Sequence, residues 1–184
     1  EKLVFNTENT GHIIVNSNMV KRSISQRFGF PEERMHLVYN GVDFYTFSSG
    51  AREQTRRDLG IAPDAFVVLF VGAGAERKGL RYAKQAVAEL GGQPLWVIDS
   101  PQKRPMQDIY AVADVLLLPT LYDPFANVTL EAMAAGLPVI TTIHNGASEI
   151  ITDSQEGFIL QRADDVQTMT QLLKRLQDVA LRKT

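Results

Sequence analysis

From residue 66 onward the chain repeats one pattern, and that repetition constrains its fold more than any other feature. A short apolar run rich in β-branched and aromatic residues is followed by a polar loop and then a stretch of helical period. The runs fall at 66–71 (Phe-Val-Val-Leu-Phe-Val), 94–98, 115–118 (Val-Leu-Leu-Leu), 137–141 and 158–160. Strands apolar on both faces must be covered on both sides, and strands separated by helices run parallel. The spacing therefore predicts an α/β fold, a parallel sheet with helices on both faces. The intervening helices are expected near 79–90, 105–113, 128–135, 146–151 and 164–181, the last with a one-sided stripe of Val166, Met169, Leu172, Leu173 and Leu176.

The first third is organised differently. Runs at 12–16 and 36–39 frame a helix expected near 18–28, and a further helix is expected near 51–59. Between them, Tyr39-Asn40-Gly41-Val42-Asp43 is a turn signal followed by polar Ser48-Ser49-Gly50. Residues 40–50 read either as an interdomain linker or as an ordinary surface loop. The working division is 1–43 and 44–184.

Composition removes several function classes. A net charge of −2 offers no footprint for nucleic acid or an anionic membrane. With no cysteine, disulfides, thiolate metal sites and cysteine nucleophiles are excluded. No apolar stretch approaches the roughly 20 residues of a membrane span. The polar start at Glu1 shows no leader, so a cytoplasmic protein is expected, and the missing initiator Met points to a fragment.

Ligands of open parallel sheets bind beyond the carboxyl ends of the strands, at a topological switch point. Loops 72–79, 119–131 and 142–149 leave strands there and should converge on one crevice. In the first, Gly72 and Gly74 let the backbone approach a ligand, and Arg77 and Lys78 suit a phosphate. Arg77 stands where a dinucleotide fingerprint needs its third glycine, and Lys78-Gly79-Leu80 does not complete a Walker loop. The pair is either a side-chain diphosphate clamp or a solvated turn. In the second loop, the start of a helix near 128 offers free N–H groups to a pyrophosphate, with Asn127 as its expected N-cap. Glu131, one turn in, suits a vicinal diol and Asp123 the hydroxyls of a sugar; alternatively both acids only stabilise the first helical turn. In the third, Glu149 starts or caps a helix. His144 has no ligand spacing with His12 or His36, no D-x-D is present, and G-x-S-x-G is absent. An anionic, polyhydroxylated guest such as a nucleotide sugar fits these residue types.

Together these segments resemble retaining GT-B glycosyltransferases of the large group-1 type. Residues 13–17, Val20-Lys21-Arg22, Arg27-Phe28-Gly29 and Val38-Tyr39-Asn40-Gly41-Val42-Asp43 are similar to their domain junction. Phe70-Val71-Gly72, Arg77-Lys78-Gly79 and 114–118 are similar to their donor domain, and 120–149 to its E-x7-E signature. The likeness is nearest to bacterial lipopolysaccharide-core and other cell-surface sugar transferases. It implies the Rossmann-like C-terminal half of a GT-B fold over 44–184, with 1–43 the tail of the acceptor-side domain and linker.

Carried over by position, the resemblance implies that Arg77 and Lys78 hold the donor diphosphate and Asp123 contacts the donor sugar. Glu131 takes the ribose hydroxyls, and the backbone of Ala126, Asn127 and Val128, with Gly72 and Gly74, lines the donor site. It also implies a nucleoside-diphosphate sugar, UDP-linked, as donor, no cofactor and no metal. The acceptor would be a glycan or lipid-linked sugar, reached through the missing N-terminal domain, with peripheral contact at the inner membrane face. Retention in the family is usually explained by front-face attack, with charge gathering on the leaving diphosphate.

The chain departs from the pattern in three ways. Asp123 replaces a Glu. The stretch from Trp96 to Pro105 lacks a βα unit of roughly 30 residues, which puts base recognition in doubt. Most of the acceptor domain is absent, so this piece alone should bind a donor and hardly transfer it. A non-catalytic nucleotide-sugar-binding module and, less favoured, an NAD-binding Rossmann protein are the alternatives.

Overall fold

In the amino-terminal part, strand β1 (Ile13–Val15) leads into helix α1 (Asn18–Phe28), and strand β2 (Met35–Leu37) pairs with β1 in parallel, Ile13 opposite Met35. The architecture is that of a computed structural model, which describes residues 5, 8, 10–91, 95–98 and 103–182. Ser17 caps α1 by accepting from the Val20 amide, and Gly29, at φ +67°, ends it in the left-handed conformation that glycine adopts without a steric penalty. Val15, Phe30 and Met35 form a small core of their own, separate from the main one.

Part of the segment read as a linker or loop is helical. Residues 44–48 form helix α2 (Phe44–Ser48), capped by Asp43, and Phe47 meets the Tyr110 ring edge-on at 5.8 Å. The turn residues at 39–43 are correctly a break, but Phe47 finds a tertiary partner that local polarity does not reveal, while Phe44 and Tyr45 stay exposed. Helix α3 (Arg52–Leu59) follows, ended by Gly60 at φ +67°.

Strand β3 (Val68–Val71), helix α4 (Leu80–Ala88), strand β4 (Leu95–Ile98), helix α5 (Met106–Val112), strand β5 (Val115–Leu118), helix α6 (Asn127–Ala134), strand β6 (Val139–Thr142), strand β7 (Gly157–Leu160) and helix α7 (Val166–Leu176) build the rest. All five strands are parallel, in the order β4-β3-β5-β6-β7. The expected fold is the observed one: a five-stranded parallel sheet with helices on both faces. Helix α4 packs on α7 on one face, while α5 and α6, with α2 and α3, cover the other. Every residue of β3, β5 and β6 is buried, as the unbroken apolar runs require. The stripe of α7 is buried at Met169, Leu172, Leu173 and Leu176, but the helix stops at Leu176, with only a 3-10 turn at Ala180–Arg182 beyond.

The chain crosses from β4 over β3 to β5, so the switch point lies between β3 and β5. Residues 99–105 join β4 to α5, too short a span for another helix and strand; residue 94 and the Asp99-Ser100-Pro101 segment lie outside the described residues. Residues 146–151, expected as a helix, are a 3-10 turn at Gly146–Ile150.

Candidate functional site

The three strand-tip loops meet. Gly79, at φ +77°, sits against the Pro119 carbonyl so closely that a Cβ would collide with it, and this joins the first loop to the second. The Leu121 amide donates to the Arg77 carbonyl at 2.8 Å, and Thr120 Oγ1 donates to the same oxygen at 3.1 Å. The second and third loops run side by side: the Asp123 amide donates to His144 O and the Gly146 amide to Asp123 O, both at 2.9 Å.

Asn145 locks that junction. It is fully buried, and its Oδ1 accepts from the Ala126 and Ala147 amides, each at 3.1 Å. Its Nδ2 donates to Thr129 Oγ1 at 3.0 Å and to Thr141 Oγ1 at 3.1 Å. Four hydrogen bonds on one buried amide satisfy its capacity. Asparagine in an exposed-looking His-Asn-Gly turn carries no sequence signal of that role.

Arg77 and Lys78 both turn toward the second loop. Arg77 Nη1 donates to the Tyr122 carbonyl at 2.6 Å and pairs with Asp123 Oδ2 at 3.1 Å. Lys78 Nζ lies 3.7 Å from the same oxygen, beyond hydrogen-bonding distance. Lys78 is 8% exposed and lies over Gly72, where a Cβ would come within 2.5 Å of its Cδ and Nζ. Burial pushes the Lys78 pKa below its ordinary value; Asp123 opposes the shift and Arg77 adds to it. Gly74, at φ +79°, leaves room beside the Arg77 side chain.

Asp123 was expected to face a sugar. It is 7% exposed, with Oδ1 accepting from the Phe125 amide at 3.2 Å and Oδ2 facing both cations.

The cap of α6 needs correcting. Ala126, not Asn127, occupies that position, with no side-chain cap; Asn127 is the first helical residue, and its Oδ1 accepts from Asn40 Nδ2 at 2.6 Å. Asn145 already accepts the Ala126 N–H, and Asn127 and Val128, in the first turn of the helix, have amides without intrahelical acceptors. Glu131 is half-buried, its Oε2 accepting from the buried Tyr110 hydroxyl at 2.6 Å, and its charge is felt at Lys78.

Glu149 caps a helix other than its own. Its Oε2 accepts from the Asn18 amide at 2.8 Å, Asn18 Nδ2 at 2.9 Å and the Tyr39 hydroxyl at 3.0 Å; Oε1 accepts from the Met19 amide at 2.7 Å. This closes the start of α1 from across the molecule. Burial pushes the Glu149 pKa up, but the amides of Asn18 and Met19, with the Asn18 and Tyr39 side chains, outweigh it and hold the carboxyl below the usual range. Ser17 Oγ donates to the Pro124 carbonyl at 2.8 Å, alongside Gly146, so the amino-terminal segment lies directly against the second and third loops.

His144 is exposed, and among the described residues no three acidic or histidine side chains gather as a metal site. A cavity of about 880 Å³ lies at the other end of the sheet, beside Phe66, Asp114 and Pro138. Its charged lining is structural. Asp114 is paired there with Arg52, Arg56 and Arg182, and Arg52 and Arg56 also donate to carbonyls at the end of α5. The strand-tip crevice is the better candidate on chemical grounds, because its cations and helix start suit an anion.

Residues 65–178 match the family model for glycosyl transferases group 1, and residues 2–45 match that for glycosyltransferase family 4. The chain belongs to the group 1 glycosyltransferases. An uncharacterized glycosyltransferase, MJ1607, of Methanocaldococcus jannaschii is 28% identical over 178 residues, covering 79% of this chain and 46% of that protein. Spore coat protein SA of Bacillus subtilis is 25% identical, covering 94% and 56%. A D-inositol 3-phosphate glycosyltransferase of Corynebacterium kroppenstedtii is 26% identical, covering 93% and 47%. The chain thus spans about half the length of the relatives it matches.

The alignment with spore coat protein SA runs over 215 positions, more than this whole chain of 184. That relative therefore carries residues with no counterpart here, on the scale of a βα unit. WaaG, a glycosyltransferase involved in lipopolysaccharide biosynthesis, superposes with TM-score 0.81 at 25% identity over 92% of this chain and 55% of its own. Anabaena HepE, crystallised with UDP-glucose, shares the fold at TM-score 0.83 and 19% identity, over 95% of this chain and 56% of its own. The sheet matches the carboxy-terminal domain of the GT-B fold. No helix among the described residues is long and apolar enough to cross a membrane.

Proposed function

We propose that residues 44–184 bind the donor of a retaining glycosyltransferase, a nucleoside-diphosphate sugar of the UDP class, for transfer to a cell-surface glycan or lipopolysaccharide-type acceptor. The observation that carries this reading is the convergence of Arg77 and Lys78 on Asp123, beside the open amides of Asn127 and Val128. Two cations share one carboxylate at unequal distances, so the cluster has charge to offer an anion. HepE was crystallised with UDP and UDP-glucose, which supports uracil as the base.

When the anomeric C–O bond breaks, negative charge moves onto the leaving diphosphate and the sugar becomes oxocarbenium-like. Arg77, Lys78 and the helix start stand ready to stabilise that charge without reorganisation. They would take the part that a divalent cation plays elsewhere, and no protein nucleophile is required. Glu131 receives the ribose hydroxyls, and Asp123 holds the basic pair in place. The acceptor enters from the side of residues 1–43, whose helix α1 abuts the second and third loops.

Calorimetry with UDP, UDP-glucose and NAD tests the donor class. UDP and UDP-glucose should bind and NAD should not; NAD binding with no UDP binding reverses the reading. Sugar transfer with UDP release, measured on the longer parent protein, tests the reaction.

A further inference from the structure

We infer that Tyr110 is a positioning residue for the donor: its hydroxyl sets the plane of the Glu131 carboxylate so that it receives a vicinal diol. The inference rests on the nucleotide-sugar reading above and extends it to a residue outside the strand-tip loops. Tyr110 lies on α5, is fully buried, and donates to Glu131 Oε2 at 2.6 Å. The Phe47 ring packs edge-on against it at 5.8 Å, so the phenol has a fixed direction. Glu131 is half-buried on the first turns of α6, close enough for Lys78 to feel its charge. The carboxylate is thus held from the protein side while its other oxygen, Oε1, has no protein donor among the described residues.

Fixing it matters because the last torsion of a glutamate is broad and roughly two-fold, so an untethered carboxylate samples many planes. Two adjacent hydroxyls need both oxygens presented in one plane at once. Oε2 has a second lone pair available after accepting from Tyr110. The tyrosine therefore removes an ordering cost that binding would otherwise meet. Burial and Glu131 both push the Tyr110 pKa up and keep the phenol protonated, so the hydroxyl is the donor in this bond.

The test compares UDP with 2′,3′-dideoxy-UDP on the full chain, for the wild type, Tyr110→Phe and Phe47→Leu, with thermal unfolding recorded for each. The wild type should prefer UDP by about tenfold, the scale of one charge-assisted hydrogen bond. Tyr110→Phe keeps the ring and should lose most of that preference, weakening UDP while leaving the dideoxy analogue nearly unchanged. Phe47→Leu disturbs the same packing without touching the hydroxyl and should keep the preference. If Tyr110→Phe retains the UDP preference, or weakens both nucleotides alike, or if Phe47→Leu abolishes the preference equally, Tyr110 is a packing residue and the inference falls alone. A wild type that binds UDP without preferring it over the dideoxy analogue overturns the diol role of Glu131 and this inference together. A wild type that binds neither nucleotide overturns the donor reading, and the inference with it.

Discussion

Glu149 and Asp123 are acids of neighbouring loops at the same end of one sheet, and the fold uses them in opposite ways. Glu149 receives four neutral donors, two of them backbone amides at the start of α1, and its hydrogen-bonding capacity is consumed by the protein. Asp123 receives one amide and two cations, one of them at 3.7 Å. A carboxylate surrounded by neutral donors completes a structure. A carboxylate facing two cations, which it can neutralise only singly, leaves positive charge beside an open crevice. The first region is a clasp between the amino-terminal segment and the sheet; the second, on the proposed reading, is a cradle for an anion.

The contrast breaks most readily at the clasp. Glu149→Ala strands the Asn18 and Met19 amides and the Tyr39 hydroxyl, each costing about 1–3 kcal/mol if left buried and unpaired. The expected loss is about 3 kcal/mol in chemical denaturation, with UDP affinity of the remaining folded protein unchanged. A variant that keeps its stability but loses UDP binding would reverse the two roles.

Next in size is Lys78→Ala, expected to weaken UDP-sugar binding by about 1–3 kcal/mol in calorimetry, the range for a charge-assisted hydrogen bond. Stability should hold or rise, because a desolvated ammonium is removed. Equal affinity in Lys78→Ala and the wild type would take the lysine out of the cradle.

Ser17→Ala removes both the α1 cap and the bond to the Pro124 carbonyl and should cost about 1 kcal/mol in the same denaturation experiment. No stability change there would mean that the clasp rests on Glu149 alone.

The smallest effects are titrations. Glu149 has a folded pKa below its ordinary 4.5, so its contribution is present above that value and lost as pH falls through the lower folded one. Lys78 has the converse sign on binding. An anion favours its charged form, so affinity is complete at neutral pH and declines as pH rises through a value below the ordinary 10.5. Acid unfolding of Glu149→Gln and alkaline UDP titrations of Lys78→Arg check the two; a Lys78→Arg variant that shows the wild-type alkaline decline would point to another titrating group.

Most of the frame was readable beforehand. The sheet strands came from runs apolar on both faces, and their helical partners from period, because each signal is carried by residues two to four positions apart. The crevice was readable at the level of loops: Gly72, Arg77, Lys78, Asp123 and Glu131 all stand at strand tips or on the helix that follows. Helix α2 was missed because it follows a strong turn signal and its Phe47 finds a partner on the distant α5. The cap of α6 was missed because Asn127, a good capping residue, is drawn away by Asn40, while Asn145 takes over the Ala126 amide.

The chain on its own determined the kind of sheet and the presence of two cations and three acids beyond the carboxyl ends of its strands. Only the tertiary structure decided what each acid does. Glu149 meets Asn18 across 131 residues and Glu131 meets Tyr110 across 21, separations at which no local periodicity carries information. A carboxylate's role depends on which donors reach it first, and the packing of distant helices sets that.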